Sequence, residues 1–330
     1  MRTFLALLTL LTGCASAPPA APKQPPIVQA EADGLVAAGS QGAVVHVLDG
    51  VNTWRAAAGQ ARSGVPMRVT HRFRIASLTK TFTAALVMQL VAEGRLALTD
   101  RAGDLLPGVL PGVLGDVTLA DLLGHTSGVH DYLTDDRFTQ ALEAPGGTLK
   151  TWSPKELLKY AGKKEADGYS NSNYILLGLI LEKTARQPYR DLLAARLTRP
   201  FGLTATELPT DDLPRDLAHG LHTDGRDTAE IDASIFWTAG GLVATAADVA
   251  TLYRRLFSGP QGKALSDGGF GIFHETLSCG RRVLTHSGMI YGYGGAAMST
   301  EDGSRVVVVQ VNSTRPGEAI TAAGSLMCGL

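Results

Sequence analysis

The run Arg305-Val306-Val307-Val308-Val309-Gln310-Val311 is apolar on both of its alternating faces. A strand patterned this way belongs in the middle of a sheet that is covered on both sides. Its companions lie at opposite ends of the chain. Residues 43–48 and 52–58 are strand-like and are joined through Asp49-Gly50, a strong hairpin signal. Residues 71–75 form a further short extended piece, and strand signals return at 269–273, 282–286 and 294–299. The middle of the chain reads as helical. Thr118-Leu119-Ala120-Asp121, Ser153-Pro154-Lys155-Glu156 and Thr245-Ala246-Ala247-Asp248 are capping boxes, the second with proline at the first helical position. Helices are also expected over 28–38, 174–184, 189–197 and 318–326, and a long polar loop over 204–235. The fold class expected is α/β (α+β), an antiparallel sheet built from both chain ends and flanked by helices, with an inserted all-α lobe. One domain would span 28–330, its α/β lobe formed by 28–78 and 238–330 and its α lobe by 79–237.

With 45% hydrophobic and 18% charged residues in 330, the chain can bury a sizeable core. A formal charge of -1 gives no case for nucleic acid as a partner. A monomer is expected. The first residues read as a targeting segment: Arg2 precedes an apolar run over 3–12, too short to span a bilayer. It ends in Leu11-Thr12-Gly13-Cys14, which resembles a bacterial lipobox, where the peptide is cut before a cysteine that is then acylated. An ordinary signal peptide with a chance cysteine is the alternative. On the lipobox reading, 1–13 is a signal peptide and 14–27 an Ala/Pro-rich tether. The protein is then an exported lipoprotein of the bacterial cell envelope, held to the membrane through Cys14. Cys279 and Cys328 remain in the body, and both a bridge and two separate buried thiols are open.

Three patterns could carry chemistry. From Thr79 to Val91 the residues are apolar around most of a helical circumference, so that helix is buried on nearly all sides. Ser77 stands at its start and Lys80 follows three residues later, on the same face. An ammonium entering a buried helix asks for an explanation. A capping serine beside a snorkelling lysine would be one. The other is a serine nucleophile with an amine that activates it. Tyr169-Ser170-Asn171 puts a phenol and an amide two residues apart before an apolar helix, suited to proton transfer and substrate recognition, although it also suits a plain helix cap. His286-Ser287-Gly288 ends a strand and precedes a glycine-rich stretch; an edge strand with a surface histidine is the plainer account. Asp121, His125 and Ser127 lie too close in sequence for an oriented triad, and no Gly-x-Ser-x-Gly elbow occurs. His274-Glu275-Thr276-Leu277-Ser278 lacks the second histidine of a zinc protease, so no metal is expected.

Taken in order, Ser77-Leu78-Thr79-Lys80, Tyr169-Ser170-Asn171 and His286-Ser287-Gly288 resemble the three motifs of the serine β-lactamase and penicillin-binding-protein superfamily. The Tyr-x-Asn form is similar to the branch of class C β-lactamases, D-Ala-D-Ala carboxypeptidases and esterases. Leu122-Leu123-Gly124-His125-Thr126-Ser127-Gly128 and Ala239-Gly240-Gly241-Leu242-Val243-Ala244-Thr245 match that branch too. The resemblance implies a β-lactamase/transpeptidase-like fold and a serine hydrolase without a cofactor. It would act on an ester, amide, small peptide or β-lactam. Ser77 would be the nucleophile, Lys80 the general base and Tyr169 the proton relay. Asn171, His286 and Gly288 would line the substrate, and the Met289 backbone N–H would help to hold the oxyanion. His286 stands where β-lactamases and peptidases usually carry lysine. Being partly protonated near neutrality, it is expected to favour carboxylate substrates only as the pH falls. A non-catalytic penicillin- or peptidoglycan-binding protein of the envelope is the alternative.

Overall fold

A computed structural model of the chain describes residues 23–109, 114–162, 165–166, 168–210, 213–222, 225–313 and 317–330. Cys14, the signal peptide and most of the tether lie outside the described residues. β1 (Gly42–Asp49) and β2 (Asn52–Arg62) form the expected hairpin, turning at Gly50, whose φ of 56° suits a residue without a Cβ. β3 (Val65–Pro66) pairs with the far end of β2. β4 (Phe73–Arg74) and β5 (Val243–Ala244) make a small separate sheet. The remaining strands are β6 (Phe273–Thr276), β7 (Arg282–Ile290), β8 (Tyr293–Ser299) and β9 (Arg305–Val311).

The main sheet is antiparallel with the order β3-β2-β1-β9-β8-β7-β6. The doubly apolar run, β9, thus lies between a strand from each end of the chain, with Val45 opposite Val309 and Ala297 opposite Val308. Val307 and Val309 pack on one face against Val28 and Leu35 of α1 (Pro26–Ala37) and against Ala319 and Leu326 of the helix Gly317–Gly329. Val306 and Val308 face the larger core, which holds the helix Ala246–Phe257 and α2 (Thr79–Ala92). All four valines are fully buried, each side chain stabilising the fold by about 1.5–3 kcal/mol.

Differences from the sequence reading have local causes. The strand expected at 269–273 begins only at Phe273, because Gly269 and Gly271 take φ of 63° and 65° and turn the chain. β7 runs on to Ile290 instead of ending at His286, its pairing with β8 holding as far as Ile290 opposite Tyr293. Residues 71–75 form a strand only over Phe73–Arg74, with Arg72 making an isolated bridge to Leu217. A short helix, Trp237–Gly240, follows the long loop and was not expected.

α2 is the buried helix foreseen. Its threonines are each satisfied, as buried hydroxyls must be. Thr81 Oγ1 donates to the Gly271 carbonyl at 2.7 Å and Thr83 Oγ1 to that of Thr238 at 2.8 Å, while Thr79 Oγ1 accepts from Leu242 N at 3.3 Å. Those bonds pin Gly271, Thr238 and Leu242 to a single helix. Cys279 and Cys328, left open by the sequence, are bonded and tie the β6–β7 turn to the helix Gly317–Gly329. The bond closes 49 residues of chain, a loop whose entropy is worth about 4 kcal/mol. Replacing both cysteines by serine should lower the unfolding free energy by about that amount in a denaturant titration. An unchanged midpoint would show that the bond leaves the unfolded chain unconstrained.

Candidate active site

Ser77 lies in a single 3-10 turn, Ala76–Leu78, that runs directly into α2. Ala76, just before it, has φ of 48°, a region non-glycine residues seldom occupy. Such strain persists only where surrounding packing imposes it. The turn half-buries Ser77 and aims its Oγ at two partners, Lys80 Nζ at 3.0 Å and the Tyr169 hydroxyl at 2.9 Å.

Lys80 is fully buried. Besides Ser77, its amine meets Asn171 Oδ1 and the Ala239 carbonyl, both at 2.7 Å. Asn171 Nδ2 donates to Asp131 Oδ2 at 2.8 Å. A carboxylate only accepts, so this bond fixes the amide with its oxygen toward Lys80. Two of the three partners of the amine are therefore acceptors only. A neutral Lys80 places its two protons on them and its lone pair on the Ser77 hydroxyl. Burial lowers its pKa from 10.5 to about 7, opposed by the charge of Asp131. The neutral amine is thus well populated near neutral pH.

Tyr169 sits at the end of a loop leading into the helix Asn171–Ala185. Although 45% of its surface is exposed, its hydroxyl end is packed into the site, and desolvation raises its pKa, so the phenol keeps its proton. His125 stacks on the Tyr169 ring at 4.3 Å, and its Nδ1 accepts from Ser170 N at 3.1 Å. Burial, with Lys80 nearby, lowers the His125 pKa to about 3. The left-handed conformation of His125, φ 60°, ends the helix Leu119–Gly124 and turns the ring toward Tyr169. Asp121, His125 and Ser127 do not assemble as a triad. Asp121 completes the helix cap with Thr118, and Ser127 Oγ donates to Asn173 Oδ1 at 2.6 Å.

The third motif arrives on β7, which passes β6 and then lies against the Ser77 turn. A Cβ at Gly288 would stand 2.6 Å from the Ile75 carbonyl oxygen and 2.9 Å from Ser77 N. Only glycine lets the strand come this close. Met289 follows with an exposed side chain, so its backbone is what can serve the site. His286 shares a strand face with Gly288 and is 3% exposed. The expectation of a partly charged histidine is corrected here: desolvation, with Lys80 nearby, lowers its pKa to about 3. Its Nδ1 lies 2.7 Å from the Ser287 carbonyl, which can only accept, so Nδ1 carries the proton. Nε2 is then a buried lone pair without a partner among the described residues.

Ser77, Lys80, Tyr169, Asn171, His286 and Gly288 are thereby gathered from distant parts of the chain. Sequence reasoning missed Asp131, which orients Asn171, and the Ala239 carbonyl, although it had marked the stretch containing Ala239. It met His125 only in a rejected triad and in a stretch that matches the family. Among the described residues no cluster of His, Cys, Asp or Glu is arranged to hold a metal.

Residues 27–326 match the family Beta-lactamase. A solved D-stereospecific amidohydrolase from Streptomyces sp. superimposes with a TM-score of 0.81 at 31% identity, over 92% of this chain and 98% of that one. D-amino acid amidase from Ochrobactrum anthropi SV3, solved with L-phenylalanine amide, gives 0.80 at 25% identity, over 92% and 97%. A D-aminopeptidase of Cereibacter sphaeroides is 28% identical over 295 residues, 79% of this chain and 54% of that protein. The chain spans between about a third and about half of the curated relatives it matches first, 37%, 32% and 54% of their lengths.

Three outcomes test this geometry. With a neutral ester, kcat/KM should rise as Lys80 loses its proton, with a midpoint near pH 7 and a plateau above it. Asp131→Asn removes a charge that raises the Lys80 pKa, so the midpoint should move to lower pH; an unmoved midpoint would separate Asp131 from the lysine. Gly288→Ala should lower kcat/KM by about 100-fold in protein that still melts cooperatively, the scale expected for a shift of about 1 Å in a reacting group.

Proposed function

The chain belongs to the β-lactamase family of serine hydrolases, and we propose that it cleaves amides of amino acids or short peptides, with preference for the D configuration, through an acyl-enzyme on Ser77. The observation that carries the reading is the set of partners around Lys80: two obligate acceptors and the Ser77 hydroxyl. As Ser77 Oγ attacks the acyl carbonyl, its proton passes to neutral Lys80. The carbonyl electron pair moves onto oxygen, held by the backbone N–H groups of Ser77 and Met289. Collapse expels the amine, which takes the Tyr169 proton, and Lys80 returns its proton to the phenolate. Water then cleaves the ester by the same transfers.

The substrate class follows from charge. His286 is neutral and offers a lone pair, which suits an amide N–H and not a carboxylate. Asp131 adds a negative charge beside Asn171, which disfavours carboxylate-bearing β-lactams and favours substrates with a free ammonium. The similar solved proteins named as D-amino acid amidase and D-stereospecific amidohydrolase agree with this choice. Met289, Gly288 and Asn171 act here through backbone, close approach and the Lys80 contact.

We propose in addition that Cys14 is acylated and anchors the chain to the envelope membrane, on the support of the Leu11-Thr12-Gly13-Cys14 pattern alone. Palmitate labelling of the full chain, lost in Cys14→Ser, is the expected result; labelling that survives the change overturns it.

The main test compares D- and L-phenylalanine amide, a D-Ala-D-Ala peptide, nitrophenyl acetate and nitrocefin. The amides should turn over with the D form ahead, and a fluorophosphonate should label wild-type protein but not Ser77→Ala. Labelling without amide turnover would move the substrate to esters. A chain that takes no acyl reagent would be the non-catalytic binding protein.

A further inference from the structure

A cavity of about 830 Å³ is lined by none of the residues placed around Ser77. Trp152 and Trp237 give it indole walls, Leu149 and Ile231 aliphatic surface, and Arg74 and Arg190 cationic groups. The volume falls in the range of small-molecule sites, and the mixture of aromatic wall with a few polar groups is their usual lining.

Arg74 is the unusual member. It lies on β4, three residues before Ser77, and is 3% exposed. Its Nη2 donates to the carbonyls of Ala229, at 2.6 Å, and of Ile231. Its Nε and Nη1 have no well-aligned hydrogen bond among the described residues; the Tyr293 hydroxyl, which donates to the Ala218 carbonyl at 2.8 Å, accepts at most a loose bond from the guanidinium. A buried guanidinium with donors this poorly satisfied is costly unless something accepts from it. The carboxylates at this cavity do not fill that need. Asp232 accepts from Ser234 N at 2.8 Å and from Thr151 Oγ1 at 3.0 Å, and Glu230 is exposed to solvent. Arg190 is also exposed, with Nε on the Leu208 carbonyl at 3.1 Å and most of its donors left over. Trp237 has φ of 33°, a strained conformation that packing must maintain.

We propose that this cavity binds an organic carboxylate with an aromatic or aliphatic body, of the kind presented by the C-terminal residue of a short peptide. Arg74 and Arg190 take the carboxylate, and Trp152 and Trp237 cover the body. The site is separate from the chemistry at Ser77 and does not rest on the substrate assigned there.

The test is calorimetric titration of the Ser77→Ala chain with N-acetylphenylalanine, using N-acetylphenylalanine amide as the uncharged control. Saturable binding is expected, at least about tenfold tighter for the acid than for the amide. Arg74 also braces two carbonyls, so Arg74→Gln risks misfolding. Arg190→Gln and Leu149→Glu change exposed residues and should each weaken the acid by about tenfold. No saturation by about 10 mM acid, equal binding of acid and amide, or binding that neither variant moves would overturn the proposal.

Discussion

The burial of one amine sets the terms for the rest of the site. Holding Lys80 at about 7 rather than 10.5 costs on the order of 5 kcal/mol wherever the amine is protonated. The sign is that of a lowered base: the penalty is full below about pH 7 and fades as the pH rises toward 10.5, where the unfolded chain also loses its proton. The fold offsets this through α2, whose side chains are buried nearly all round, and through carbonyl and amide oxygens held rigidly on other elements. Asp131 limits the descent. Without its charge the amine would fall further and become a weaker base.

The remaining site groups take their protonation from the same dry environment. Tyr169 stays a phenol because its hydroxyl end is desolvated, and His125 and His286 stay neutral for the complementary reason. One physical cause therefore produces a neutral base, a protonated donor and two uncharged imidazoles. The charge that bears on the amine is that of Asp131, which is more open to water than Lys80 or either imidazole.

Much of this was legible because it depends on spacing. Ser77 and Lys80 share a helical face, and the doubly apolar β9 demands neighbours on both sides, so nucleophile and sheet can both be found in one dimension. The capping box at Thr118 was legible for the same reason. Other features depend on who meets whom. Asp131 is 40 residues from Asn171, and no local pattern announces their bond. The charge of His286 could not be read from its position in a motif, because it follows from burial by residues elsewhere in the chain. The extra length of β7 beyond His286 came from its ladder with β8, which composition alone does not set.

The placement of β9 also constrains how the molecule comes into being. Strand β1 waits for a partner that lies more than 250 positions later, and β8 needs the same strand on its other side. During synthesis from the amino end, α2 and the Ser77 turn emerge long before β7 and β9 do. Early intermediates thus carry an apolar helix without its covering sheet, and pairings this distant are slow to form. Because β7 supplies the close wall beside Ser77, a nascent chain holds the serine and the lysine without a working cleft. Competence arrives only with the last strands, so a partly made or nicked molecule is an unpaired sheet edge rather than a weak enzyme.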